Sequence, residues 1–180
     1  MQHNIDVKKH LFAVAAALRL LLALPFSGRG DTSWETNLKK AQEQANSSNK
    51  LVFLDFTGSD WCGWCMKLKR EVFITPEFDN YARSNLVLLE IDLPHGKPLS
   101  PEQLAANMRV QEQYAVEGFP TLIVLNHEGQ EIWRLPSYAD AKPADWIRMF
   151  EALRAKAGLL PPTAGTASAP SPPPPEPKKS

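Results

Sequence analysis

The chain has 180 residues, 43% hydrophobic and 22% charged, a composition that suits one soluble domain of ordinary size with extensions at its ends. Lys8, Lys9, Arg19 and Arg29 against Asp6 leave the first thirty residues at +3 and, because the whole chain is neutral, residues 31–180 at −3. A mildly acidic body excludes phosphate-backbone binding, so no nucleic-acid partner is expected. The two cysteines lie too close in sequence to staple distant segments and are too few for a structural zinc site, which takes four ligands.

Lys8 and Lys9 precede an apolar run, Leu11–Leu18, that resumes after Arg19 as Leu20–Leu24 and is broken by Pro25, with Ser27, Gly28 and Gly30 following. A basic start, a short apolar stretch and small residues are the parts of a secretory signal. The run is too short and interrupted for a comfortable membrane span. Residues 1–30 are therefore expected to be a signal peptide. That is favoured over an uncleaved anchor and over an amphipathic helix of a cytosolic protein.

A single domain is expected over residues 31–160. Trp34, Leu38, Ala41 and Ala45 recur on one face and predict a helix over 34–45. Leu51–Phe56 is a nearly continuous apolar run, as in a strand covered on both sides. Helix is predicted from Cys62 to Phe73, and again from Thr75-Pro76-Glu77, a cap followed by an N1 proline, to about Arg83. Leu86–Ile91 reads as a second buried strand, and Ser100-Pro101-Glu102 opens a helix towards Tyr114. Thr121–Leu125 and Gln130–Arg134 flank Asn126-His127-Glu128-Gly129 as a hairpin, and a last helix runs from about Pro143 to Ala157. Residues 161–180 hold eight of the sixteen prolines. They are expected to form an extended, disordered, solubilising tail.

Chemistry concentrates where the first strand leads through Thr57-Gly58-Ser59-Asp60 into Trp61-Cys62-Gly63-Trp64-Cys65 and a helix. Unpaired N–H groups and the dipole at a helix start stabilise a thiolate, so the Cys62 pKa should be depressed. Cys65, one turn later, is close enough to attack a mixed disulfide formed on Cys62 and so release a reduced product. Two sulfurs held this close can cycle between dithiol and disulfide.

Leu51-Val-Phe-Leu-Asp-Phe56, Trp61-Cys62-Gly63-x-Cys65, Ile91-Asp92 and Gly118-Phe119-Pro120-Thr121 together resemble the thioredoxin superfamily over most of residues 36–157. The stretch from Asp55 to Leu68 is most similar to exported bacterial thioredoxin-like proteins of the thiol:disulfide interchange type. The resemblance implies an α/β thioredoxin fold with a central mixed sheet flanked by helices. It implies a catalytic, redox-active Cys62–Cys65 pair and a buried Asp55 that relays a proton as Cys65 becomes a nucleophile. It also implies a cis Pro120 beside the bound substrate chain, with Phe119 next to it. Trp61 and Trp64 are candidates for an apolar substrate rim with Phe119.

Two departures are visible. One more residue separates Asp55 from Cys62 than is usual in that family, and Leu88 falls where many members place a lysine near the aspartate. No histidine lies between the cysteines, which favours a reductase. The expected activity is thiol–disulfide oxidoreduction, as a reductase of disulfides in exported proteins. The expected setting is a monomer in the periplasm, without metal or cofactor, acting on protein disulfides or thiols and re-reduced by a membrane electron donor. An oxidase or isomerase on the same fold, and a non-catalytic module for peptide docking or soft-metal binding, are the alternatives. The excess Pro94–Pro101 reads as a tolerated surface loop. His95 and His127, both on loops, are assigned no role.

Overall fold

A computed structural model describes residues 32–159; the signal expected at 1–30 and the tail expected at 161–180 lie outside these residues. Four strands form one mixed sheet in the order β2-β1-β3-β4: β1 Leu51–Thr57, β2 Leu86–Asp92, β3 Thr121–Leu125 and β4 Glu131–Leu135. β1 runs parallel to β2 and antiparallel to β3, which pairs antiparallel with β4. All seven residues of β1 are buried, as the nearly continuous apolar run requires of a central strand covered on both faces.

The helices are α1 Leu38–Ser48, α2 Gly63–Leu68, α3 Pro76–Asn85, α4 Pro101–Gln113 and α5 Pro143–Lys156. Alternation along the strands divides the core into two layers. Leu51, Phe53, Leu86, Leu88, Leu122 and Val124 face Leu68 of α2, Phe78 of α3 and Trp146 and Phe150 of α5. Val52, Leu54, Phe56, Leu89, Ile91 and Ile123 face Ala41 and Ala45 of α1, with Val110 of α4 packed against them. Sheet and helices therefore make the three-layer thioredoxin fold expected from the sequence.

The side chains of Thr75 and Ser100 accept from the N–H groups of Phe78 and Gln103, and Pro76, Pro101 and Pro143 occupy first-turn positions. These residues start helices for the capping reasons anticipated. The hairpin turn is closed by Asn126, whose Oδ1 accepts from Glu128 N and Gln130 N, and by Gly129 at φ +86°. A side chain at that φ would be strained.

Two segments differ from expectation. The first helix begins at Leu38, because Asn37 caps it through Lys40 N–H. Glu35 instead bridges to β2, donating to Leu88 O and accepting from Glu90 N. The helix expected to run unbroken to Phe73 widens at Lys69–Phe73 into a π-helical turn closed by Ile74 N–H to Lys69 O. The wider turn buries the consecutive residues Val72 and Phe73 and turns Ile74 out to solvent.

Candidate functional site

The C-terminal end of β1 delivers the chain into a tight loop at Gly58–Trp61, whose Gly58 O accepts from both Trp61 N–H and Cys62 N–H. A Cβ on Gly58 would meet the Trp61 indole at 2.3 Å, so only glycine permits that ring to lie there. The loop is also tied sideways to the end of β2: Ser59 N–H and Oγ–H both donate to the Asp92 carboxylate, at 2.9 and 2.6 Å.

Cys62 is the cap of α2, and its Sγ accepts from Cys65 N–H at 3.2 Å. Cys62 and Cys65 are joined by a disulfide, with Cα atoms 5.3 Å apart. Both cysteines are recessed, Cys62 at 6% and Cys65 at 4% relative exposure. That leaves Cys62 less open than a cysteine on an exposed helix lip, while the neighbouring Trp61 and Trp64 are at 40% and 58%.

Asp55 sits on the β1 face that carries Leu51 and Phe53, the face on which Leu68 of α2 packs. Its Oδ1 is buried without a hydrogen-bond partner. Burial pushes its pKa up to about 8; the nearby carboxylate of Glu90 adds to the rise, Lys69 opposes it, and Asp92 adds again. The strand register shows what surrounds Asp55 in place of a β2 lysine. Leu88 lies opposite Phe53, Asp55 is opposite Glu90, and Lys69 of the π-helical turn is 3.3 Å from Glu90 Oε1. Cationic charge therefore does reach the aspartate's surroundings, from a helix rather than from β2. A cross-strand position depends on register, which the number of residues between motifs does not reveal.

The Phe119–Pro120 peptide bond is cis and leads directly into β3, with Thr121 Oγ–H donating to Gly118 O. The aromatic candidates separate into two groups. Trp61 meets Phe119 edge-on at 5.6 Å between ring centroids. Trp64 stacks on Tyr138, 5.0 Å away in the β4–α5 connection, and the Lys67 ammonium lies over both rings. The single rim expected of Trp61, Trp64 and Phe119 is thus two shelves.

Tyr138, Glu90, Lys69, Asp60 and His95 were not singled out as site residues. His95, expected to be merely solvated, is exposed yet stacks on Trp61 at 4.5 Å with the rings 7° from parallel. Glu90 carries a faint signal in the sequence, since charge within an apolar strand needs a partner; Lys69, on an exposed helical position, carries none. Tyr138 and His95 sit on connections whose path is set by tertiary packing, and their sequence neighbours give no hint of it. A cavity of about 400 Å³ lies at the other end of β1, lined by residues that include Thr32, Lys50 and Arg83.

A family model for a thioredoxin-like domain matches residues 38–153. The disulfide bond reductase DsbH of Chlamydia pneumoniae is 35% identical over 102 residues, covering 57% of this chain and 61% of that protein. The thioredoxin-related protein DsbJ of the same organism is 29% identical over 133 residues, covering 71% of this chain and 38% of that one. A solved structure described as DsbH oxidoreductase superposes with a TM-score of 0.63 at 26% identity, covering 79% of this chain and 99% of its own. The match thus spans less than two thirds of the length of either chlamydial relative. With the sheet order, the helix-capping disulfide and the cis-proline ahead of β3, the family match identifies the chain as a member of the thioredoxin-like domain family.

Proposed function

We propose that this protein is a thiol–disulfide oxidoreductase that reduces disulfides in exported proteins. The observation that carries the reading is the Cys62–Cys65 disulfide closed across the first turn of α2, with Cys65 N–H donating to Cys62 Sγ. In the reduced protein that N–H and the adjoining helix start stabilise negative charge on Cys62. The Cys62 thiolate attacks one sulfur of a substrate disulfide, forming a mixed disulfide and expelling the other substrate sulfur as a thiolate. Asp55 takes the proton of Cys65, and the Cys65 thiolate attacks Cys62 Sγ. This expels the second substrate sulfur and closes the disulfide seen here. Two electrons pass to the substrate, and a dithiol donor must return them.

A carboxylate with pKa near 8 suits the acceptor role, because it changes protonation within the working range. Pro120 and Phe119 would meet the substrate chain, with Trp61 and Trp64 as apolar contacts beside the cysteines. The name of one chlamydial relative, a disulfide bond reductase, supports the reductive direction. Export by residues 1–30, a domain over 31–160, a solubilising tail at 161–180, a periplasmic site and a membrane electron donor complete the proposal. The basic-then-apolar start of the chain supports it. Among the described residues no helix is long and apolar enough to cross a membrane.

The test is reduction of insulin disulfides with dithiothreitol as donor, together with the reduction potential of the pair. Activity that survives Cys62→Ser refutes the assignment. A potential near the roughly −270 mV of thioredoxin fits a reductase, whereas one near −180 mV would transfer the proposal to an isomerase.

A further inference from the structure

The connection after β2 is fastened to the dithiol end of the molecule by two independent sets of contacts. The Asp60 carboxylate accepts from three successive backbone N–H groups, those of His95, Gly96 and Lys97, at 3.0, 2.6 and 2.9 Å. These donors hold its pKa down at about 2, so the carboxylate stays charged and the clamp closed at physiological pH. Trp61 supplies the second set. Its Nε1–H donates to Leu93 O at 2.9 Å, and its indole face carries the His95 ring.

The result is a row of three rings, Phe119, Trp61 and His95, with centroid separations of 5.6 and 4.5 Å. Trp61 adjoins Cys62 and Phe119 adjoins Pro120, so the row is continuous with the proposed reaction site. End to end it measures at most about 10 Å, within the span of roughly three residues of extended chain. Trp61 keeps 40% of its surface exposed although it is held on both sides.

We infer that residues 93–97 form a wall of the substrate site, with His95 a specificity-determining residue and Asp60 the positioning residue that holds the wall in place. The occupant is the extended polypeptide flanking the disulfide of a protein substrate, laid across Phe119, Trp61 and His95. A small disulfide reaches the cysteines without covering that row. The inference rests on the thiol–disulfide reading above.

The test uses the full-length protein, reduced and freed of reductant. It compares the second-order rate constants for oxidation of the protein by insulin and by glutathione disulfide. For His95→Ala the ratio of the insulin constant to the glutathione constant is expected to fall about five-fold, the scale of one lost aromatic contact. Asp60→Ala should lower the ratio as much, and the double variant no further, because both changes remove the same wall. His95→Phe keeps a ring over Trp61 and should restore most of the ratio, whereas His127→Ala on the β3–β4 turn should leave it at the wild-type value. If His95→Ala leaves the ratio unchanged while wild type reacts with both disulfides, or if the losses in the double variant multiply, the wall is refuted and the redox reading stands. A wild-type protein that reacts with neither overturns both.

Discussion

Replacing Asp55 by asparagine removes a titrating group from the core while keeping its shape, and the structure sets the size of the response. The unfolded chain gives up this proton near the ordinary carboxyl pKa of 3.8, whereas burial in the fold holds it until about pH 8. Between those values the folded state binds more protons than the unfolded state, so stability falls as pH rises. The penalty is absent below the unfolded pKa, grows through the window and is complete above about pH 8. At pH 7, roughly three units above the unfolded value, it amounts to about 4 kcal/mol. That is a large share of the 5–15 kcal/mol typical of a folded domain.

The assay is urea unfolding of the oxidised protein, wild type and Asp55→Asn, at pH values from 4 to 8. The stability difference should widen in favour of the variant by about 4 kcal/mol between pH 4 and pH 7. Contributions that do not vary with pH, such as the added amide, cancel in that comparison. Parallel curves for the two proteins would refute a buried, perturbed Asp55. Two further variants test its causes, with the series extended to about pH 9: Lys69→Met removes the opposing cation and should move the upper end of the pH window higher, while Glu90→Gln removes the neighbouring carboxylate and should move it lower.

Gly58→Ala should expel the Trp61 indole, since the new methyl would sit 2.3 Å from it. Tryptophan fluorescence and the insulin rate should both change, and an unaltered spectrum would show the loop to be more pliant than this contact allows. Phe53, fully buried among Trp34, Phe73, Phe78, Trp146 and Phe150, should cost about 3–5 kcal/mol when replaced by alanine. Denaturant melts would register that loss, and one below 1 kcal/mol would mean that the six-ring cluster closes around the gap.

The fold was legible in the amino-acid order because its signals are local. Nearly continuous apolar runs mark β1 and β2 as covered on both faces, capping residues before prolines mark where α3 and α4 begin, and Asn126 to Gly129 marks a hairpin. The helix-tip cysteines were legible for the same reason, as a short motif whose spacing carries its geometry, while Pro120 was legible only through the resemblance of Gly118-Phe119-Pro120-Thr121 to the thioredoxin superfamily. What depends on register or on the path of a connection was not. Glu90 faces Asp55 only because β1 and β2 pair in one particular register, and Lys69 approaches Glu90 from the π-helical turn that interrupts the expected helix. His95 reaches Trp61 because Asp60 draws in three amides from a segment more than thirty residues away, and Tyr138 comes under Trp64 by the course of the β4–α5 connection. Periodicity and capping act over a few residues and are written in neighbours along the chain. Cross-strand charge pairs and clamped loops join residues that meet only after the sheet and its helices have packed, so tertiary structure alone decides them.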